Sequence, residues 1–113
     1  THLVSPAVAA DNEASRNCTV IEASGRDRPG LLEALARTLA EAGLSIQSAH
    51  VDNYGERAVD AFYVQTAEEE KIVDPARLEA LKHRLVDVLC EGETQTQAAG
   101  PRRLLRARAS AAR

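Results

Sequence analysis

Apolar and polar residues alternate along this chain in five patterned runs. Thr19-Val20-Ile21-Glu22-Ala23 is a short β-rich run closed by Ser24-Gly25, and it predicts a strand. After Arg26-Asp27-Arg28-Pro29-Gly30 the period changes. Leu31, Leu35 and Leu39 recur every four residues, with Leu32 and Ala36 beside them, which predicts an amphipathic helix. Pro29 suits its first turn, and Asp27 can accept from the free N–H groups there. Ala42-Gly43 stops the helix, with Leu44 folding back onto its last turn. Leu44, Ile46, Ala49 and Val51 are then spaced by two, three and two. A regular strand cannot keep these on one face, so the spacing predicts a bulge near Gln47-Ser48. Asn53-Tyr54-Gly55-Glu56 is turn chemistry, and Ala58 to Thr66 predicts a second strand of a hairpin. Its centre, Val59 to Val64, reads as apolar on both faces, as in a central strand. After the acidic linker Glu68-Glu69-Glu70, Asp74-Pro75 signals a helix start. Leu78, Leu81, Leu85 and Val88 give that helix its apolar stripe.

The order strand, helix, strand, strand, helix is the start of a ferredoxin-like α+β fold, which ordinarily ends in a fourth strand. No strand pattern follows Glu93. Leu3 to Ala10 can fill the vacant edge by folding back antiparallel onto the first strand through Asp11–Asn17. The expected division is a lead-in over 1–17, a folded domain over 18–91 and a disordered tail over 92–113. The tail's last thirteen residues carry five Arg and no acid, whereas residues 1–100 carry nine basic and 17 acidic residues.

The whole chain has 113 residues and a net charge of -3, enough for one core and no general pull toward nucleic acid. No apolar run approaches the ~20 residues of a membrane span, and no signal peptide is visible. Cys18 and Cys90 stand apart from each other and from any His at ligand spacing, which fits thiols in a reducing compartment. The absence of Met suggests a piece of something longer. His2, His50 and His83 are scattered, and neither a GxSxG nor a phosphate-binding loop occurs. Ser24, Ser45 and Ser48 have no evident base. Asp52 and Asp60 flank the hairpin as surface or edge acids. This chain does not read as an enzyme.

Ser24 to Leu32 is the informative stretch. A loop that leaves a strand and opens a helix presents free backbone N–H groups, which suit a carboxylate. Gly30 permits close approach, and Asp27 offers a partner for an ammonium group, so the loop suits a zwitterionic amino acid. The plain alternative is a well-capped helix with solvated arginines.

The DRPGLL loop, the GLSI segment and the AHV…YGERAVDAFYV hairpin together resemble an ACT domain, a small-molecule-sensing module of ferredoxin-like fold. They are similar in particular to the last ACT domain of bacterial bifunctional uridylyltransferase/uridylyl-removing enzymes, which modify the PII nitrogen-signalling protein. The match covers about residues 4–90. The resemblance implies that catalysis, and the magnesium it uses, belong to upstream domains absent from this chain, which itself carries no cofactor. It implies a cytoplasmic module that senses an amino acid, glutamine, and pairs with another ACT domain. It places the ligand between the loop of one domain, at Asp27, Arg28, Pro29, Gly30, Leu31 and Leu32, and the second strand of a neighbouring domain, at Gln47, Ser48 and His50, Gln47 being the least typical. PII enters only as a partner of the parent enzyme.

Three other classes compete, one of them catalysis within this chain itself, which an assay with PII and UTP tests. An RNA-binding module of the same topology needs exposed aromatics and a basic face, and this chain has one Phe, two Tyr and an acidic balance. A dimerisation module that needs no ligand is the closer rival, and amino-acid titration separates it from a sensor.

Overall fold

The computed structural model describes residues 4–98. Its elements are β1 (Ala7–Asp11), β2 (Thr19–Arg26), α1 (Leu31–Glu41), β3 (Ser45–Tyr54), β4 (Arg57–Gln65) and α2 (Pro75–Ala98). The strands form one antiparallel sheet in the order β1-β2-β4-β3, with both helices on one face, the expected α+β ferredoxin-like arrangement. The fourth-strand position is filled from the N-terminal side. β1 pairs antiparallel with β2, from Ala7 opposite Ser24 to Asp11 opposite Val20. Leu3 lies outside the described residues.

A polar clip holds the β1–β2 connection. The Thr19 hydroxyl donates to Asn12 Oδ1 at 2.5 Å and accepts from the Ile72 N–H at 2.8 Å. Asn12 Nδ2 donates to the Ile72 carbonyl at 2.8 Å, and Lys71 Nζ to the Asn12 carbonyl at 2.7 Å. Thr19 is completely buried, so these bonds satisfy groups that water cannot reach.

Alternation along the central strands separates the two faces. Thr19, Ile21, Ala23 and Gly25 of β2 lie opposite Val64, Phe62, Asp60 and Ala58 of β4, and all eight are buried beneath the helices. The residues between them turn to the open face. Leu31, Leu35 and Leu39 of α1 and Leu81, Leu85 and Leu89 of α2 complete the core. Gly43, at φ 83°, ends α1 as expected. Its N–H reaches the Ala40 carbonyl, that of Leu44 reaches Leu39, and Leu44 is buried. Asp74 opens α2, its side chain accepting from the Ala76 N–H at 3.0 Å.

Four expectations need correction. β2 runs through Ser24-Gly25 to Arg26. Gly25 is there for packing, since a Cβ on it would come within 3.1 Å of Leu89 Cδ2. Pro29 precedes α1, whose N-cap is Gly30 in the left-handed region, with no side-chain cap bond from Asp27 or any other residue. Asp60 is a core residue, 2% exposed, where an edge acid was expected. Finally, α2 continues past Glu91 to Ala98. The rest of the expected tail lies outside the described residues.

Candidate functional site

The loop from Asp27 to Leu32 is anchored at its start in two directions. The Asp27 N–H donates to the Glu56 carbonyl at 2.8 Å, and Arg26 meets the Glu56 carboxylate at 2.7 Å, tying the loop to the β3–β4 turn. Arg28 reaches the other way, donating from Nη2 to the Val88 carbonyl of α2 at 3.1 Å. Beyond these anchors the chain turns at Gly30, φ 83°, where any other residue would be strained. The Leu31 N–H is used internally, on the Arg28 carbonyl. Among the described residues, no acceptor meets the N–H groups of Leu32 and Glu33. They form a donor pair at the positive end of α1, suited to a carboxylate.

The loop residues contribute unequally. Leu31 is 2% exposed and belongs to the core, whereas Leu32 stands out, 41% exposed. The Arg28 guanidinium leans on α2 through Nη2, while its Nε is buried without a partner. Asp27, Pro29 and Gly30 are exposed and free to meet a ligand.

The three strand residues named for a cleft shared with a neighbouring domain, Gln47, Ser48 and His50, lie at and beyond the bulge of β3. The bulge occurs where the spacing placed it, between Ile46 and Ser48. Beyond it, Ser48 lies opposite Tyr63 and His50 opposite Ala61, and both β4 residues belong to the open face. The His50 and Tyr63 rings meet edge-on there, centroids 5.3 Å apart. Gln47 sits in the bulge and donates to Ser45 Oγ at 2.8 Å. The β3 residues that share the helix-side face with the loop are Ala49, Val51 and Asn53, opposite Phe62, Asp60 and Ala58. The bulge flips the strand by one residue, so polar and apolar positions exchange faces.

Asp60 is a candidate that sequence reasoning missed. It projects to the helix side between Ala23 of β2 and Val51 of β3, and its Oδ1 is buried without a hydrogen-bond partner. Burial, and then the nearby Asp27 carboxylate, push its carboxyl above the ordinary 3.8. One signal could have found it. Asp60 shares the parity of Phe62 and Val64 in a strand read as central, so it had to face the core.

β3 completes the setting. Only one of its edges is paired, and all its residues except Ile46 are exposed, with Val51 at 50% and Tyr54 at 65%. A ten-residue strand with a free edge is a template for another strand. A hollow of ≈ 550 Å³ at the other end of the sheet is lined by Arg16, Lys71, Glu69 and Glu70, charges that cancel. No helix among the described residues is long and apolar enough to cross a membrane. Among the described residues no three His, Cys, Asp or Glu side chains converge as metal ligands would.

Comparison with known proteins adds the following. A family model described as the ACT domain matches residues 19–83. The chain is 61% identical over 110 residues to a bifunctional uridylyltransferase/uridylyl-removing enzyme of Caulobacter vibrioides, covering 97% of this chain and 12% of that protein. Enzymes of the same description from Phenylobacterium zucineum and Novosphingobium aromaticivorans are 59% and 52% identical, over 97% and 74% of this chain and 12% and 9% of theirs. The chain thus spans about an eighth of the first relatives' length. No solved structure matches it.

Proposed function

Because the chain belongs to the ACT domain family, we propose that it is the amino-acid-sensing module of a bifunctional uridylyltransferase/uridylyl-removing enzyme, with glutamine as its effector. In this reading the parent enzyme is cytoplasmic and acts on the PII protein. Its magnesium-dependent catalysis lies outside this chain. The module's task is to convert glutamine level into a bias between two opposed activities.

One observation carries the sensing role. The loop pinned to Glu56 and Val88 offers unpaired N–H groups at Leu32 and Glu33, which are exposed residues, in the same loop and first turn as the exposed Asp27. Donors for a carboxylate beside an acceptor for an ammonium group are what a zwitterion needs. The free β3 edge supports a second part of the reading. Another ACT domain, or a second copy, pairs along β3 and walls the ligand in, since sites of this kind form at interfaces.

Thermal denaturation with and without each amino acid tests the proposal. A dissociation constant on the order of 0.1–1 mM is expected of a small metabolite that makes few contacts. At a hundredfold excess, linkage adds roughly 2.7 kcal/mol, about 10 °C or more for a domain of this size. Asp27→Ala removes most of that shift. It does not lower the melting temperature of the unliganded chain, because Asp27 makes no cap bond. The absence of any shift at saturating glutamine refutes the reading.

The unpaired, partly apolar β3 edge also favours a second reading, a ligand-independent dimerisation module. In that case sedimentation shows a dimer whose stability no amino acid alters.

A further inference from the structure

Asp60 has no structural task that its surroundings reward. Its side chain is 98% shielded, its Oδ1 receives no hydrogen bond, and its partners across the sheet at that level, Ala23 and Val51, are apolar. The charged group that faces it is another acid, Asp27. A carboxylate taken out of water without donors is costly, and a like charge nearby makes it worse. An alanine or valine here would serve the core better. A buried acid held in this way suits a cationic donor that comes and goes.

Resting on the sensing reading above, we propose that Asp60 is the residue that receives the ammonium group of the bound amino acid, with Asp27 as the outer carboxylate of the pair. Three features of the geometry support this. An ammonium group has three donors, enough for both carboxylates, whereas a metal ion would need further ligands that do not converge here. The β3 side is where a ligand would approach, because Ala49, Val51 and Asn53, which flank the buried Asp60 on this face, are exposed. The first turn of α1, with its unpaired N–H groups at Leu32 and Glu33, stands at the same end of the sheet. β2 and β4 lie side by side there, Arg26 opposite Arg57, and the loop leads from β2 into α1. An α-amino acid has its ammonium and carboxylate on one carbon, so both must be met at once. Here Asp60 would take the ammonium group and the α1 terminus the carboxylate.

The assignment also separates recognition into parts. The backbone donors bind any carboxylate, and Asp60 selects those that carry an α-amino group. Asp60→Asn keeps the shape and removes the charge.

Calorimetric titration of this chain with glutamine and with 4-carbamoylbutanoate, which is glutamine without its amino group, tests the proposal. The wild type is expected to prefer glutamine by about tenfold or more, the range of a hydrogen-bonded charge pair. Asp60→Asn is expected to bind the two compounds within about threefold of each other, with an unliganded melting temperature no lower than that of wild type. Asp60→Ala serves the same comparison should the amide variant fail to fold. A full preference for glutamine in both variants overturns the role of Asp60 and leaves the sensing reading standing. A wild type that binds both compounds equally also overturns the role of Asp60 alone. A wild type that binds neither overturns the glutamine-sensing reading, and this assignment with it. A variant whose only change is in sedimentation points to a residue of the subunit contact and overturns the proposal.

Discussion

Replacing Thr19 with Val should be one of the most damaging single-atom changes in this fold. The two side chains have the same shape, and Thr19 is 0% exposed, so packing is preserved. What disappears is the hydroxyl that donates to Asn12 Oδ1 at 2.5 Å and accepts from the Ile72 N–H at 2.8 Å. The Ile72 amide would be left buried with no acceptor, at about 1–3 kcal/mol, and the bond to Asn12 is worth about 1 kcal/mol more. The added methyl returns up to about 1 kcal/mol of burial, so the net loss lies within about 1–4 kcal/mol, with a midpoint of about 2.5. At about 4–8 °C per kcal/mol, the melting temperature falls by about 10–20 °C. Far-UV circular dichroism through heat and urea denaturation measures the loss. Hydrogen exchange at the Ile72 amide tests its cause, since protection there should fall more than at Phe62. Thr19→Ser keeps the hydroxyl and is expected to lose only about 1 kcal/mol for the methyl. A Thr19→Val variant within about 0.5 kcal/mol of wild type, with Ile72 still protected, refutes the role given to the clip.

Asp60→Asn is expected to stabilise the unliganded chain in a pH-dependent way. The folded state holds the Asp60 proton to higher pH than the unfolded state does, because of burial first and Asp27 second. Asp60's contribution to stability is therefore fully present below the ordinary 3.8 and is lost as pH rises through the folded-state value. The variant's advantage in melting temperature should grow from about pH 4 to about pH 7, and a constant difference refutes it. Gly30→Ala should cost about 1 kcal/mol through its left-handed backbone alone, since nothing lies within 4 Å of the added Cβ; an unchanged urea midpoint would show that the loop relaxes. Val51→Lys puts a charge on the free β3 edge and should weaken self-association at least tenfold in sedimentation, while an unchanged constant moves the contact elsewhere.

Local periodicity carried most of the architecture. The Leu31, Leu35 and Leu39 stripe, the Gly43 stop, the Asp74-Pro75 start and the hairpin around Gly55 each depend on residues within a few positions of one another. Such signals survive in a single sequence. The irregular spacing of Ile46, Ala49 and Val51 located the bulge, and the vacant edge of a ferredoxin-like sheet pointed to the N-terminal segment that became β1. Tertiary structure decided matters that no local pattern contains. Gly25 looked like the end of a strand and is instead the place where Leu89, sixty-four residues later, presses against the sheet. The loop residues were correctly singled out as a group, but only packing shows that Leu31 is core and that Arg28 is committed to Val88. The strand half of the site was the hardest to read. A bulge's position can be read from spacing, but the face each later residue takes is set by its partner on β4. Tyr63 and Ala61 draw Ser48 and His50 to the open side, while Phe62 and Asp60 bring Ala49 and Val51 to the helix side. By the same pairing Asp60 is placed in the core, because burial depends on what lies opposite a side chain as well as on its own polarity.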